Sequence, residues 1–178
     1  MKIFKFGGAS VKDAEGVKNV LHVLNTVGHE DVLLVISAMG KTTNALEVVI
    51  KNYFDKSKEL HASLQEVRKY HNQILLDLFE DEDHDVFFDI NAHFDDLEYF
   101  IRSNKSPNYS FVYDQVVSIG ELVSTTIVSH YFNYSGLKNN WIDVRPLIKT
   151  DNNYRDAQVD WETTQKLMST GVEMTALY

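Results

Sequence analysis

Two short apolar segments flank a helical pattern in the first forty residues of the chain. Residues 3–6 predict a buried strand, and apolar residues recur at helical spacing across residues 13–24, with Gly28 ending that helix. Residues 31–37 form a continuous apolar run, which is typical of a parallel strand covered on both faces. Strand, helix and strand in this order form a βαβ unit, so the sequence predicts an α/β fold.

Helical patterns dominate the remainder of the chain. Five segments have this spacing: residues 42–54, 55–79, 86–101, 111–132 and 160–168. An acidic run at 80–85 separates the second from the third, and we expect these two to form an antiparallel hairpin laid on the α/β core. Residues 141–144 predict a strand, and residues 146–150 a short edge segment.

Composition narrows the class of protein. The chain has 178 residues, which suits one domain with a sizeable core, and its net charge of −9 argues against nucleic acid or an anionic membrane as a partner. No cysteine is present, which excludes disulfides, thiolate catalysis and cysteine-ligated zinc. Lys2 and Lys5 interrupt the first apolar stretch, so no signal or membrane segment is indicated and a cytoplasmic location is expected.

The first strand ends in a glycine pair beside a lysine. Gly7 and Gly8 follow Lys5 and Phe6 and precede a helix, and glycines let a backbone approach an anion closely. A helix N-terminus there would add free N–H groups and the positive end of a dipole. This corner fits a phosphate, although many strand-to-helix turns contain glycine for conformational reasons alone.

A polar loop follows the second strand. Residues 37–44 read Ser-Ala-Met-Gly-Lys-Thr-Thr-Asn, so hydroxyls cluster where α/β sheets bind ligands. Gly40-Lys41-Thr42 is similar to the end of a P-loop, but Val35 stands where that motif requires its first glycine. A helix cap alone would explain one polar residue at 42–44, but not the whole cluster.

A carboxylate lies within an apolar helical segment. Glu121 is flanked by Gly120, Leu122 and Val123, and an unpaired charge in an apolar interior is costly. Two explanations stay open: Glu121 binds a ligand ammonium group, or it simply faces solvent. The acidic run at 80–85 has no calcium-loop glycine and predicts a solvated turn, and the spacing of the seven histidines indicates no metal site.

Four blocks in order resemble the aspartate kinases of the amino-acid kinase superfamily. The first is Lys-Phe-Gly-Gly-Ala-Ser-Val at 5–11, where the family has threonine in place of Ala9, and the second is the loop at 37–44. The third is Ser-x-Gly-Glu-x-x-Ser at 118–124, and the fourth combines Asp-Val-Arg at 143–145 with Thr-Asp at 150–151 and Ala157. The helical segment before Ser118 is also typical of the family.

The resemblance implies a three-layer αβα amino-acid kinase (carbamate kinase-like) fold, incomplete, with an inserted helical hairpin at about residues 55–105. It implies transfer of the γ-phosphoryl group of MgATP to the side-chain carboxylate of L-aspartate, giving 4-phospho-L-aspartate, the first step towards lysine, threonine and methionine. No protein-bound metal is expected. The implied nucleotide-side residues are Lys5, which is also the implied catalytic residue, Phe6, Gly7 and Gly8. The implied substrate-side residues are Ser37, Thr43 and Glu121.

The family continues with a nucleotide-binding half and regulatory ACT domains that are not found in residues 1–178. We therefore expect this chain to be the N-terminal, aspartate-side part of a kinase, with negligible activity alone, little affinity for ATP and a tendency to form homo-oligomers through an incomplete sheet. Two alternatives stay open: a non-catalytic aspartate-binding or assembly module derived from such a kinase, and a superfamily enzyme acting on glutamate, carbamate or a nucleotide.

Overall fold

The computed structural model describes the backbone of residues 1–175 and the side chains of residues 1–169. Strands β1 (Lys2–Phe6) and β2 (Val32–Ile36) pair in parallel, and helix α1 (Ala14–Val27) connects them. The Asp13 carboxylate accepts a hydrogen bond of 2.8 Å from the Gly16 N–H and so caps α1, while Gly28 ends the helix at φ +86°. The predicted βαβ unit is confirmed.

Five further helices follow the βαβ unit: α2 (Thr42–Phe54), α3 (Leu60–Leu78), α4 (Asp85–Ser103), α5 (Tyr109–Tyr134) and α6 (Trp161–Thr175). All five predicted helical segments are therefore present, and the last extends beyond its predicted end. Lys56 adopts φ +50° between α2 and α3, so the chain changes direction there rather than continuing as one long helix. None of the described helices is both long and apolar enough to cross a bilayer.

Helices α3 and α4 form an antiparallel hairpin. Arg68 contacts Asp95 at 2.5 Å, and one turn earlier on α3 the Gln65 side chain donates to Glu98 at 2.8 Å. Residue numbers on α4 fall as those of their α3 partners rise, so the two helices run in opposite directions. The acidic run between them forms a short turn in which the Asp81 carboxylate accepts from the Asp83 N–H, as the sequence predicts.

The two faces of the sheet have different surroundings. Phe4, Phe6 and Leu34 pack against the buried helical core, whereas Ile3 is 62% exposed and Val35 is 46% exposed. Successive side chains of a strand point to opposite faces, so one face of this sheet is uncovered by the described residues. The expectation that residues 31–37 are buried on both faces is therefore wrong. The strand expected at residues 3–6 is present as β1, but only one of its faces packs against the core.

The strand predicted at residues 141–144 is also absent from the part of the chain that the structure describes. The Asp143 carboxylate accepts hydrogen bonds from the Arg145 backbone N–H at 3.0 Å and from its guanidinium at 2.6 Å. These local bonds turn the chain back on itself and compete with strand pairing. The edge segment at 146–150 is reduced to an isolated antiparallel bridge between Thr150 and Val159.

Candidate functional site

The loops that follow the two strands are joined by backbone hydrogen bonds. The Ser37 N–H donates to the Phe6 carbonyl at 3.1 Å, and the Gly40 N–H donates to the Gly8 carbonyl at 2.9 Å. A Cβ at Gly8 would lie 2.6 Å from the Ala38 carbonyl oxygen, so only glycine permits this approach. Parallel strands end at the same edge of a sheet, and the first two sequence blocks therefore meet there.

Lys5 lies beside the glycine pair. It pairs with Val35 in the sheet and is exposed on the uncovered face, with its Nζ 3.4 Å from the position that a Cβ would take at Gly7. Gly7 precedes a short 3-10 turn over Gly8–Val11 that no side chain caps. An ammonium group and uncapped N–H groups thus lie at one corner of the sheet, as the sequence predicts for an anion site.

Helix α5 brings the third block against the second. A Cβ at Gly120 would lie 3.0 Å from Ala38 Cβ and 3.3 Å from a methyl group of Thr42, so the absence of a side chain lets α5 approach the loop. One turn later, the buried Ser124 hydroxyl donates to the Ser37 carbonyl at 2.7 Å. Three of the four blocks are therefore joined by direct contacts.

Hydrogen bonding separates the hydroxyls of these blocks into two groups. Thr42 and Ser124 are buried and bonded within the protein, and the Thr42 hydroxyl donates to the Met39 carbonyl at 2.6 Å. Ser37 and Thr43 are half-buried, and their hydroxyls make no hydrogen bond with residues 1–169. The two unbonded hydroxyls are the two that the resemblance assigns to substrate.

Capping does not explain the loop. Lys41 is the N-cap residue of α2, and no side chain accepts a hydrogen bond from the first turn of that helix. The alternative that a residue at 42–44 serves as a helix cap is therefore wrong. The Thr42 N–H donates to the Met39 carbonyl at 3.0 Å, and no side chain in residues 1–169 caps the N–H groups of the first turn of α2.

Glu121 faces solvent. Its sequence neighbours Leu122 and Val123 are buried, but Glu121 is exposed because consecutive helix residues point in directions 100° apart. No cation in residues 1–169 forms a salt bridge with Glu121. Of the two explanations left open, the exposure of Glu121 agrees with the one in which it faces solvent, and its sequence neighbour Gly120 contacts the loop at 37–44.

Trp141, two residues before the fourth block, contacts the same turn of α5. The Trp141 indole N–H donates to the Thr125 hydroxyl at 2.9 Å, and that hydroxyl donates to the Glu121 carbonyl at 2.7 Å. Asp143 is held ionised because its hydrogen bonds to Arg145 lower the pKa of the carboxyl. Trp141 is therefore linked to the Glu121 backbone through Thr125, and residues 141–144 do not form the strand that was predicted.

Sequence reasoning missed two residues beneath the site. Tyr70 and His71 of α3 contact the loop at 37–44, and the sequence places His71 only among the seven histidines whose spacing indicates no metal site. The structure buries His71 completely, and burial lowers its pKa to about 4. No local signal could have shown this, because the Thr42–His71 contact joins residues 29 positions apart.

The arrangement can bind a small anionic ligand that also has an ammonium group. Lys5 and the uncapped backbone N–H groups suit an anion, the hydroxyls of Ser37 and Thr43 can donate or accept, and Glu121 is available for a cation. Within residues 1–169 no group of three or more His, Asp and Glu side chains could hold a metal ion.

The sequence profile described as the amino acid kinase family matches residues 1–175. The chain is 29% identical over 150 residues to bifunctional aspartokinase/homoserine dehydrogenase 2 of Escherichia coli K12, and this alignment covers 84% of this chain and 18% of that protein. It is 30% identical over 142 residues to chloroplastic aspartokinase 1 of Arabidopsis thaliana, covering 76% of this chain and 24% of that protein. The chain thus spans about a fifth of the length of these relatives.

Two solved structures of Escherichia coli aspartokinase III have the same fold. The complex with lysine and aspartate (T-state) superimposes with a TM-score of 0.83 at 21% identity, covering 98% of this chain and 38% of that one. The complex with aspartate and ADP (R-state) superimposes with a TM-score of 0.84 at 21% identity, and the match covers 97% of this chain and 37% of that one. The predicted amino-acid kinase fold is confirmed. The chain belongs to the amino acid kinase family, and within it the chain is similar to aspartokinases.

Proposed function

We propose that this chain forms the aspartate-side part of an aspartate kinase. In the whole enzyme the γ-phosphoryl group of ATP would pass to the side-chain carboxylate of L-aspartate, giving 4-phospho-L-aspartate for lysine, threonine and methionine synthesis in the cytoplasm. The observation that supports this most is the contact of three separate sequence blocks at one sheet edge, through Gly8 with Gly40, Gly120 with Ala38, and Ser124 with Ser37.

Each proposed role follows from chemistry at that edge. Lys5 would neutralise charge on the transferring phosphoryl group, with the backbone of Phe6, Gly7 and Gly8 beside it. The hydroxyls of Ser37 and Thr43 would contact aspartate, and Glu121 would pair with its ammonium group. Phosphoryl transfer requires positioning and positive charge more than covalent participation by the protein, and this set of groups supplies both.

ATP would bring Mg²⁺ with it. Mg²⁺ keeps most of its water and is usually held by substrate phosphates and one or two carboxylates. The donors at the corner, an ammonium group and N–H groups, bind phosphate oxygens rather than metal, so they fit the phosphates of a metal–nucleotide complex. Residues outside this chain would supply the adenine and ribose contacts, and an acyl-hydroxamate assay of residues 1–178 alone should show negligible turnover.

Glu121→Gln tests the substrate assignment. The variant loses the charge that pairs with the aspartate ammonium, and hydrogen bonds to charged groups contribute about 1.5–3 kcal/mol, so L-aspartate should bind about 10- to 100-fold more weakly by calorimetry. Succinate lacks the ammonium group, and its binding should not change. Glu66→Gln on the exposed face of α3 is the matched control. Equal weakening of both ligands, or no aspartate binding by the wild type, would contradict the proposal.

A second function is favoured by the hydroxyls of Ser37 and Thr43, which are unbonded within residues 1–169, and by the exposed carboxylate of Glu121. The hydroxyls and Glu121 could bind aspartate without any chemistry, which would make the chain an aspartate-binding or assembly module derived from a kinase. The two functions differ in the role of Lys5. Lys5→Met should leave aspartate binding within about twofold in a kinase whose Lys5 contacts only phosphate, while abolishing hydroxamate formation by the complete enzyme. Full turnover by that variant would contradict the role proposed for Lys5, whereas aspartate binding with no hydroxamate formation by the wild-type complete protein would favour the binding module.

We also propose that the chain forms homo-oligomers through the uncovered sheet face. Ile3 is 62% exposed, Val35 46% and Leu33 37%, and a second copy could cover these apolar side chains. Lys5 lies on the same face, so this dimer and phosphate binding at Lys5 would compete. Sedimentation velocity should show a dimer at high concentration that the double variant Leu33→Lys/Val35→Lys abolishes. Leu76→Lys on α3, where Leu76 is 46% exposed, is the control and should leave the dimer intact. A wild-type chain that stays monomeric would refute this surface as an interface.

A further inference from the structure

Tyr70 and His71 are adjacent residues of α3, and each contacts a different part of the two loops. The Tyr70 hydroxyl donates to the Lys12 carbonyl, at the end of the 3-10 turn that begins at Gly8. The same hydroxyl lies 2.6 Å from the position that a Cβ would take at Gly40. Tyr70 therefore touches the first loop and the second loop with one atom.

His71 holds the second loop from the interior. Its Nδ1 lies 2.8 Å from the Val67 carbonyl, which can only accept, so Nδ1 carries a proton. In the neutral ring, Nε2 is then an acceptor, and it lies 3.2 Å from the Thr42 hydroxyl. The Thr42 hydroxyl has one proton, which faces two acceptors, the Met39 carbonyl at 2.6 Å and Nε2 of His71, so His71 shares this hydroxyl with the turn preceding α2.

The surroundings of His71 favour a positioning role. It is 0% exposed, and it shares a small apolar pocket with residues of α2, α4 and α5, including Leu46, Phe94 and Gly120. A phenylalanine or leucine would satisfy packing in such a place, yet the chain keeps a polar ring whose Nδ1 donates to the Val67 carbonyl and whose Nε2 lies beside the Thr42 hydroxyl. The rings of Tyr70 and His71 also contact each other edge to face, with centroids 4.9 Å apart.

We infer that Tyr70 and His71 are positioning residues that set the distance between the loop after β1 and the loop after β2. The α3–α4 hairpin would then act on the site rather than only cover the core, because both contacts originate from α3. The inference deepens the proposed function and rests on it only for the effect on ligand binding. The effect on the loops themselves can be measured without any ligand.

The direct readout is the Gly40 amide, which donates to the Gly8 carbonyl and reports whether the loops remain joined. Tyr70→Phe removes one hydrogen bond worth about 1 kcal/mol, so Gly40 hydrogen exchange should rise about fivefold relative to Val20 in the α1 core. Tyr99→Phe is the matched control, because Tyr99 is 63% exposed on α4 and its hydroxyl has no hydrogen-bond partner in residues 1–169.

Two substitutions of His71 separate positioning from packing. His71→Gln can reach Thr42 with its amide in the place of Nε2, whereas His71→Asn retains only the group near Val67. In His71→Gln, Gly40 exchange and L-aspartate affinity should stay within about twofold of the wild type. In His71→Asn, which loses the contact with Thr42, Gly40 exchange should rise about fivefold and L-aspartate affinity should fall about fivefold. Denaturation curves establish that every variant is folded.

The outcomes are separable. Wild-type exchange at Gly40 in both Tyr70→Phe and His71→Asn would overturn the inference, and so would identical behaviour of His71→Asn and His71→Gln. If the wild-type chain bound no aspartate while Gly40 exchange responded as expected, the proposed function would fail and the positioning role would stand.

Discussion

Gly8→Ala is expected to lower the free energy of unfolding by about 2 kcal/mol, whereas Gly7→Ala at the neighbouring glycine should change it by less than about 0.5 kcal/mol. A Cβ at Gly8 would lie 2.6 Å from the Ala38 carbonyl oxygen and 3.0 Å from the Gly40 carbonyl oxygen. Both are backbone atoms, so the loops must move apart and lose the bond between Gly40 N–H and the Gly8 carbonyl.

Gly7 is the control because its backbone already suits alanine. Its φ of −78° and ψ of 168° lie in the extended region, and a Cβ there would meet only the flexible end of Lys5 at 3.4 Å. Urea denaturation followed by circular dichroism gives both values. Equal effects of the two substitutions would mean that the loops after β1 and β2 are not in contact.

Stability should also fall by roughly 2 kcal/mol between pH 7 and pH 4.5 because of His71 alone. Burial lowers the His71 pKa from 6.5 to about 4 in the folded state, so between these values the unfolded chain binds more protons than the folded chain. The contribution is therefore fully present above pH 6.5 and is lost as the pH falls towards 4. The sign is that of a histidine held neutral in the folded protein.

His71→Gln isolates this contribution. Glutamine does not titrate, so the unfolding free energy of the wild type minus that of the variant should fall by roughly 2 kcal/mol from pH 7 to pH 4.5. Burial also lowers the pKa of His93, which titrates in the same direction in both proteins and cancels in the difference. Parallel curves for the two proteins would show that His71 is not buried as a neutral ring.

Local pattern was sufficient for the framework of the fold. Helix α2 begins and ends where the spacing of apolar residues predicts, and the parallel strands bring Gly8 and Gly40 together because both loops leave the same sheet edge. The resemblance to aspartate kinases selected hydroxyls at Ser37 and Thr43, and the structure leaves these two without partners in residues 1–169.

Three features could not be predicted because they depend on the surroundings of each segment. The apolar run at 31–37 does not reveal that the described chain covers only one face of the sheet. The β-like sequence at 141–144 does not reveal that Asp143 binds the backbone of Arg145. Apolar neighbours in sequence could not decide whether Glu121 faces solvent, because they occupy other directions around the helix.

The most direct test of the account is an amide-resolved nuclear magnetic resonance titration of the chain with L-aspartate. Saturable shifts should appear together in residues 37–44 and 120–124, and addition of inorganic phosphate should shift the amides of Gly7 and Gly8. Shifts confined to a distant region such as residues 80–93, or an aspartate response in only one of the two segments, would contradict a shared site.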